Sequence, residues 1–372
     1  MALQPLPDYP WDAMVPFANR ARQHPDGIVD LSIGSPVDPT PDVIRAALAG
    51  ATDAHAYPTT AGKPALTEAI AAWFDRRRGV PGLTSKNVLP TIGSKELVAL
   101  LPFMLGIGEG DVIVHPRAAY PTYAIGAAMC GATAVASDDP AEWPVGTKLI
   151  WLNSPGNPDG NVLDVDDLRR SVARARELGA LIVNDECYAE LGWSGPWSVD
   201  PIPSILDPQV TDGNVVGILA IYSLSKQSNM AGYRAAFAAG CAATLARLTT
   251  VRKHAGLMLP APLQTAMIAA LADDEHVAAQ KARYAARRAL LLPALERSGF
   301  RLDRSEAGLY LWVTEGRDAW ESIGRLADLG ILAGPGTFYG DFYPQHIRLS
   351  LTATDERISA AAERLASAAV GG

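Results

Sequence analysis

A lysine flanked by serines at the end of an apolar run is the residue most suited to covalent chemistry. Lys226 closes the stretch Tyr-Ser-Leu-Ser-Lys, which follows the apolar residues 215–221. An apolar run without alternation predicts a strand buried on both faces, and open α/β sheets bind ligands at the carboxyl ends of such strands. Burial there favours the neutral amine, the nucleophile that Schiff-base formation needs. A solvated lysine past a strand end is the alternative.

Two further charges stand in apolar surroundings. Asp185 follows the strand predicted over residues 181–184, and Arg348 lies within the strand predicted over residues 347–351. A buried carboxylate requires a partner. A buried guanidinium is costly without an anion, and its planar shape matches a carboxylate. Arg348 therefore predicts either a carboxylate-binding site or a structural ion pair.

The spacing around the lysine resembles that of a known family. Arg234 follows Lys226 by eight residues, with a glycine two positions before the arginine. This pattern is similar to the lysine motif of the class I/II aminotransferases of fold type I, whose cofactor is pyridoxal 5'-phosphate. The resemblance implies that Lys226 forms a Schiff base with the cofactor aldehyde. It also implies that Ser223 and Arg234 bind the cofactor phosphate.

The resemblance implies four residues around the cofactor ring. Asp185 would pair with the protonated ring nitrogen, and Tyr188 would hydrogen-bond the ring oxygen. Tyr120, in Tyr-Pro-Thr-Tyr, would stack on the ring, unless it is a core aromatic. Asn157, in Asn-Ser-Pro-Gly-Asn-Pro-Asp-Gly, would donate to the ring oxygen and contact the substrate.

A phosphate loop is expected where a strand over residues 87–92 meets a helix over residues 94–105. Gly93, Ser94 and Lys95 stand at this junction, and a helix N-terminus offers free N–H groups to an anion. The alternative for Ser94 is a helix cap. The resemblance further implies that Tyr57 reaches the phosphate of a neighbouring subunit, so a homodimer with shared active sites is expected. Otherwise Tyr57 is a surface loop residue.

The same resemblance implies a substrate site. Arg348 would bind the substrate carboxylate, and Gly34 would let the backbone approach that carboxylate, although a turn glycine explains Gly34 equally well. The residues that bind the far end of the substrate do not follow from the sequence. Arg117, Lys95 and the residues near Tyr339 are candidates by their location alone.

The resemblance extends over residues 34–348 and implies an α/β fold. It comprises a large domain with a mostly parallel seven-stranded sheet between helices, and a smaller α/β domain. The expected divisions are an N-terminal segment packing with the small domain (1–40), a large cofactor-binding domain (41–272) and a small C-terminal domain (273–372). Helices are predicted over 11–23, 165–178, 273–297, 318–329 and 355–369, and strands over 28–33, 111–115, 149–152, 235–239, 301–313 and 331–336.

Composition narrows the classes of function. A chain of 372 residues with 48% hydrophobic content fits two domains, and its net charge of −8 argues against nucleic-acid binding. Its three cysteines, Cys130, Cys187 and Cys241, are widely spaced, which indicates small buried hydrophobes rather than a metal site or disulfides. No run reaches the roughly 18 apolar residues of a membrane span, and residues 1–10 lack a signal peptide. A cytoplasmic enzyme without membrane partners is expected.

The activity that the resemblance implies is ping-pong transamination between an amino acid and a 2-oxo acid, commonly 2-oxoglutarate. Total length, the short N-terminus and the loop at residues 93–96 are most similar to actinobacterial N-succinyldiaminopimelate aminotransferases of lysine and diaminopimelate biosynthesis. Aminotransferases of aspartate, alanine or aromatic amino acids and carbon–sulfur lyases of the same fold remain alternatives. A regulator with a degenerate aminotransferase-like domain is disfavoured, because the chain has no basic helix-turn-helix segment.

Overall fold

The structure is a computed structural model that describes residue 6 and residues 10–370. Most of the stretch considered for a signal peptide lies outside the described residues. In chain order the strands are β1 (Val29–Asp30), β2 (Val88–Ile92), β3 (Val112–His115), β4 (Thr133–Ala136), β5 (Thr147–Asn153), β6 (Leu181–Asp185), β7 (Ile218–Ser223), β8 (Ala235–Gly240), β9 (Arg301–Leu302), β10 (Tyr310–Thr314), β11 (Ile331–Leu332), β12 (Gly334–Pro335) and β13 (His346–Ser350).

The α-helices of the described residues lie between these strands. In chain order they are α1 (Val15–Ala21), α2 (Asp42–Ala49), α3 (Pro64–Arg78), α4 (Ser94–Leu105), α5 (Thr122–Cys130), α6 (Val165–Leu178), α7 (Pro208–Thr211), α8 (Ala242–Ala255), α9 (Ala261–Ala272), α10 (Glu275–Arg297), α11 (Ala319–Asp328) and α12 (Asp355–Val370). No described helix is both long enough and apolar enough to cross a membrane.

A seven-stranded sheet forms the centre of the larger part of the molecule. Its spatial order is β2-β8-β7-β6-β5-β3-β4, and β8 is the one strand that runs antiparallel to its neighbours. Every residue of β7 and β8 is buried, as apolar runs covered on both faces require. The predicted α/β class with a mostly parallel seven-stranded sheet is confirmed.

Separate apolar cores cover the two faces of this sheet. On one face Trp73 of α3 packs against Tyr222 of β7, with ring centroids 4.4 Å apart. On the other face Tyr123 of α5 stacks on Trp151 of β5 at 5.1 Å. These layers hold the strand ends rigidly, so side chains that follow the strands are placed reproducibly.

A third core lies around a four-stranded sheet of order β12-β13-β10-β9, together with the parallel pair β1-β11. The pairing of β1 with β11 joins the N-terminal segment to the C-terminal part of the chain. The domain boundaries at residues 40 and 272 remain predictions.

Several predicted elements are interrupted. The strand predicted over residues 301–313 is split into β9 and β10, because Arg304, Ser305 and Gly308 have positive φ angles. The intervening backbone instead bonds the loop after β5, with Ser305 N–H donating to the carbonyl of Asp159 at 2.7 Å. The strand predicted over residues 331–336 is likewise two short strands in different sheets, and β4 was not predicted at all.

The three cysteines are free thiols. Cys187 and Cys241 are buried as predicted, whereas Cys130 is partly exposed. Within residues 10–370 no group of three or more potential ligands could hold a metal ion.

Candidate active site

The parallel strands β5, β6 and β7 end side by side at one edge of the large sheet. Asn153 pairs in register with Asp185, and Asp185 with Ile221, so the residues that follow the three strands meet at this edge. Lys226 follows β7 by three residues. The topology thereby brings the predicted lysine and the predicted carboxylate to the same place, as parallel strands dictate.

The side chain of Lys226 is hydrogen-bonded to the backbone of the N-terminal segment. Its Nζ donates a hydrogen bond to the carbonyl oxygen of Gly34. Burial lowers the pKa of Lys226; nearby Tyr310 opposes this effect, and the positive charges of Arg348 and Arg234 add to it. The interpretation of Lys226 as a solvated surface residue is wrong, and a neutral amine is favoured here.

Asp185 is a buried carboxylate without a cation. Tyr123 donates its hydroxyl to Oδ2 at 3.1 Å, and the backbone N–H of Cys187 donates to Oδ1 at 3.2 Å. Burial raises the pKa of Asp185, while its hydrogen bonds with Cys187 and Tyr123 act in the opposite direction. Since no described residue forms an ion pair with it, Asp185 suits a cationic ligand atom such as a protonated ring nitrogen.

An anion cradle is built where β2 and β8 pair. Gly93, with φ of 80°, precedes α4, and a Cβ on Gly93 would overlap the guanidinium of Arg234. Arg234 itself has φ of 58° and is anchored by a hydrogen bond from Nη1 to the carbonyl of Ala231 at 2.8 Å. The guanidinium therefore lies directly over the amino end of a 12-residue helix, an arrangement that favours a phosphate.

The serines around this cradle have distinct roles in the structure. Ser223 and Ser225 exchange a hydroxyl hydrogen bond of 2.7 Å, and the Ser225 contact was not predicted. Gly93 occupies the N-cap of α4 without any side-chain cap, so the alternative that Ser94 caps the helix is wrong. Lys95 is exposed on the first turn of the helix.

Tyrosines line the space beside the carboxylate. Tyr120 is half-buried, and its ring lies edge-on to Tyr123 with centroids 5.9 Å apart. Burial raises the pKa of Tyr120 to about 12. Tyr188 is buried, and its hydroxyl lies 3.3 Å from that of Tyr310. Tyr120 thus offers a flat face, and Tyr188 a hydroxyl, near Asp185.

Arg348 comes from the other sheet and is joined to this edge through Asn157. Its Nη1 donates to Oδ1 of Asn157 at 2.9 Å, and its Nη2 donates to the carbonyl of Ser32 at 2.6 Å. Arg348 and Asn157, each predicted separately for the substrate site, are therefore brought together across 191 residues. No described carboxylate pairs with Arg348, so the interpretation as a structural ion pair is wrong.

Aromatic rings enclose the same guanidinium. Its central carbon lies 3.9 Å from the ring centroid of Tyr310 and 4.7 Å from that of Tyr339. Arg348 is 4% exposed, and its Nε has no hydrogen-bond partner among the described residues. A buried cation held only by neutral oxygens and rings is suited to receive an anionic ligand.

Gly34 is a glycine because of a close contact. A Cβ at this position would overlap the Tyr310 hydroxyl, and the φ angle of Gly34 is not positive. The turn-glycine interpretation is therefore wrong. Tyr310 was not predicted as a site residue, since in the sequence it is one apolar-strand tyrosine among several. Tyr123 belongs to the Tyr-Pro-Thr-Tyr motif, which is the one signal that could have identified it.

Three predicted residues, Tyr57, Arg117 and Lys95, lie apart from this cluster or have other partners, whereas Tyr339 contacts it. Tyr57 is 96% exposed and is not brought to the site within this chain. Arg117 forms an ion pair with Glu142 at 3.1 Å, and Lys95 is exposed. Tyr339 is buried against Arg348, so it contacts the site rather than a free substrate pocket.

These residues fit pyridoxal 5'-phosphate. The cradle of Gly93 and Arg234 suits the phosphate, the amine of Lys226 suits the aldehyde, and the unpaired carboxylate of Asp185 suits the ring nitrogen. Among the residues that the structure describes, none of these groups has the partner that the cofactor would supply.

Comparison with known proteins gives consistent results. The family model described as aminotransferase class I and II matches residues 26–365. The chain is 53% identical over 366 residues to the 4-dedimethylamino-4-oxo-anhydrotetracycline transaminase OxyQ of Streptomyces rimosus, covering 98% of this chain and all of that protein. It is 51% identical over 361 residues to a probable aminotransferase of Mycobacterium tuberculosis, covering 97% and 85%. A solved structure, the probable N-succinyldiaminopimelate aminotransferase of Thermus thermophilus, aligns with a TM-score of 0.85 at 28% identity, covering 96% and 99%.

Proposed function

Because the chain belongs to the class I and II aminotransferase family and is a pyridoxal phosphate-dependent aminotransferase, we propose that Lys226, Asp185 and Arg234 carry its amino transfer. One observation carries this proposal. A half-buried amine, a buried carboxylate without a cation among the described residues and a guanidinium over a helix N-terminus meet at one edge of the sheet. The amine supplies the nucleophile, the carboxylate a counter-charge and the guanidinium a phosphate anchor.

Lys226, Asp185 and Arg348 each have a different role in the reaction. Pyridoxal phosphate, when bound, supplies an aldehyde and a ring that withdraws electrons. Lys226 Nζ, whose pKa is lowered by burial, takes a proton from the α carbon of the amino acid and returns it to the acceptor. Asp185 keeps a positive charge on the group it faces. Arg348 binds the α-carboxylate and so orients the carbon that loses the proton towards Nζ.

The proposed amino donors are N-succinyl-LL-2,6-diaminopimelate and glutamate, with 2-oxoglutarate as the acceptor that regenerates glutamate. The Thermus thermophilus protein supports this assignment through its name and its fold. Arg348 serves either donor, because both carry an α-carboxylate. Lys95 and Arg117 remain candidates for the far carboxylates; Lys95 is exposed, and Arg117 is shared with Glu142.

A ring ketone is a second candidate acceptor. The name of the Streptomyces rimosus relative describes amination of an oxo group on an anhydrotetracycline, and its identity of 53% extends over almost the whole chain. A ketone acceptor would leave the glutamate half-reaction at Arg348 unchanged. The two candidates differ in the acceptor alone, which makes them separable by assay.

The proposal includes a homodimer with shared active sites. Tyr57 is 96% exposed and lies outside the cluster formed by its own chain. A tyrosine hydroxyl from a second copy would complete the phosphate site above Arg234. A cytoplasmic location remains a prediction.

The test of the proposed residues combines absorbance with turnover. Wild-type protein reconstituted with pyridoxal phosphate is expected to be yellow, with a band that shifts when an amino donor is added. Lys226→Ala is expected to lose about 10²–10⁴-fold in turnover, the usual contribution of a positioned acid–base group, and to release its cofactor on gel filtration. Lys86→Ala, an exposed lysine distant from the site, is the control. A wild-type protein that takes up no pyridoxal phosphate would overturn the proposal.

A donor and acceptor panel then assigns the substrate. N-succinyl-diaminopimelate, aspartate, alanine and aromatic amino acids are offered with 2-oxoglutarate, and glutamate is offered with a polycyclic ketone. Formation of one keto acid per glutamate, without release of ammonia, distinguishes transamination from carbon–sulfur lysis. The donor with the highest kcat/KM decides between the candidates.

A further inference from the structure

Tyr310 is a buried tyrosine at the point where the two sheets meet. It begins β10 and is 4% exposed. In the antiparallel pairing of β10 with β13, Tyr310 lies opposite Ser350 and Trp312 opposite Arg348, so Tyr310 and Arg348 point to the same face. The ring therefore lies under the guanidinium, with 3.9 Å from its centroid to the central carbon of Arg348.

The hydroxyl of this tyrosine lies at Gly34, where the amine of Lys226 also ends. A Cβ on Gly34 would overlap the Tyr310 hydroxyl, and the carbonyl of Gly34 accepts the hydrogen bond from Lys226 Nζ. The Tyr188 hydroxyl lies 3.3 Å away on the other side. Tyr310 thus has a proton donor or acceptor on each side and a cation on its ring face.

The charges around Tyr310 favour loss of its proton. Burial acts to raise the pKa of Tyr310, but the positive charges of Arg348 and Lys226 outweigh it, so the pKa lies below the usual range. In turn, Tyr310 acts to raise the pKa of Lys226 against the effect of burial. The two pKa effects are reciprocal, because the charge of each group acts on the protonation of the other.

We propose that Tyr310 is a positioning residue for Lys226, whose hydroxyl oxygen holds the Nζ ammonium and its proton at Gly34, where both groups end. The role is electrostatic, and no bond to Tyr310 is made or broken. The Tyr188 hydroxyl lies 3.3 Å from the Tyr310 oxygen and keeps it in place.

Other titratable and charged groups lie near Lys226 and Tyr310 and affect their pKa values. The titratable and charged neighbours are Arg348 on β13, Arg234 before β8, Cys187 and Tyr188 after β6, Tyr284 on α10, Tyr120 before α5, and Tyr339. Among these, the two arginines favour the neutral amine, whereas an ionised Cys187 would oppose it. Tyr310 is the neighbour on which both Lys226 and Arg348 act directly.

Tyr339 provides a matched control. It also packs on Arg348, at 4.7 Å, and its hydroxyl has no hydrogen-bond partner among the described residues. Burial raises the pKa of Tyr339, whereas the pKa of Tyr310 is lowered. Phenylalanine at either position keeps the ring against the guanidinium and removes one hydroxyl.

The inference rests on the proposed function. Its test measures the protonation of the Lys226 amine rather than turnover. The full chain, freed of pyridoxal phosphate, is labelled with acetic anhydride across a pH series, and the Lys226 peptide is quantified against that of the exposed Lys86. In Tyr310→Phe the midpoint of Lys226 labelling is expected at lower pH than in wild type. Below the midpoint, labelling is expected to be about tenfold faster than in wild type if the midpoint falls by about one pH unit. Tyr339→Phe is expected to match wild type.

Two results would overturn this inference. Unchanged labelling in Tyr310→Phe is one, and an equal change of midpoint in Tyr339→Phe is the other, because it would point to a general effect through Arg348. If Tyr310→Phe does not fold, the ultraviolet titration of Lys226→Ala replaces it. One tyrosine is then expected to ionise at higher pH than in wild type, and coincident curves would overturn the inference. A displaced labelling profile in a protein without transaminase activity would reject the proposed function alone.

Discussion

Two consecutive carboxylates at the end of β6 have opposite surroundings. Glu186 is fully buried and pairs with the buried Arg78 at 3.1 Å. Its other oxygen accepts hydrogen bonds from Asn184, Ser204 and the backbone of Ile205. Asp185, one residue earlier, has hydrogen bonds but no cation.

Two buried arginines, Arg78 and Arg348, differ in the same way. Arg78 has a carboxylate partner, whereas Arg348 is held by an amide oxygen, a carbonyl and two aromatic rings. Glu186 and Arg78 therefore form a compensated pair that serves packing, whereas Asp185 and Arg348 are uncompensated and suit a ligand. Burial alone does not distinguish structural from functional charges, but the state of pairing does.

Breaking the compensated pair of Arg78 and Glu186 is expected to have the largest effect on stability. Arg78→Leu leaves Glu186 buried without a cation and is expected to cost about 3–5 kcal/mol in the free energy of unfolding. Urea titration measures this loss. Arg78→Leu combined with Glu186→Leu is expected to recover most of it. Arg45→Leu, which breaks an exposed pair with Asp42, is the control and is expected to cost about 0–1 kcal/mol. Equal losses at Arg78 and Arg45 would contradict the comparison.

Removing the uncompensated Arg348 is expected to affect turnover instead. Arg348→Leu removes a cation without leaving a buried carboxylate, so urea titration is expected to give a free energy of unfolding equal to or above that of wild type. The kcat/KM for glutamate is expected to fall by about 2–5 kcal/mol of transition-state binding, roughly 30- to 5,000-fold. A variant that loses stability but binds glutamate normally would assign Arg348 to the structural class.

The smallest expected effect is on how the stability of the cofactor-free chain depends on pH at Asp185. Burial raises the folded-state pKa of Asp185 above its value in the unfolded chain. The folded chain therefore holds this proton more tightly, and the stability of the cofactor-free chain falls as pH rises from the unfolded pKa through the folded pKa. Asp185→Asn removes this loss, so it is expected to stabilise the cofactor-free chain at neutral pH but not at about pH 3. This gain in stability is expected to be smaller than the loss caused by Arg78→Leu. Thermal melts at both pH values measure the difference, and a loss of stability at neutral pH would show that Asp185 is already compensated.

The strand ends of the large sheet could be predicted from the sequence. Apolar runs before Asp185 and Lys226 and the glycine before Ser94 are local signals, and the structure places all three at one edge. Helix α4 and helix α6 have the predicted bounds. Such elements depend on neighbouring residues and on burial, which a sequence pattern records.

Other contacts had no local signal. The split between β9 and β10 results from backbone bonds to the loop after β5, about 145 residues away. Tyr310 belongs to the site only because β10 and β13 pair with Trp312 opposite Arg348. A slip of one residue in that register would turn Tyr310 to the other face.

The sequence by itself determined the chemical groups and the strand ends that deliver them: an amine, a carboxylate, an arginine eight residues after the lysine and a second arginine in an apolar strand. The tertiary structure alone decided which charges are compensated. Glu186 meets Arg78 across 108 residues, while Arg348 meets Asn157 and Ser32 instead of a carboxylate. The physical reason is that desolvation acts on each residue where it lies, but compensation depends on a second residue that folding brings from elsewhere in the chain.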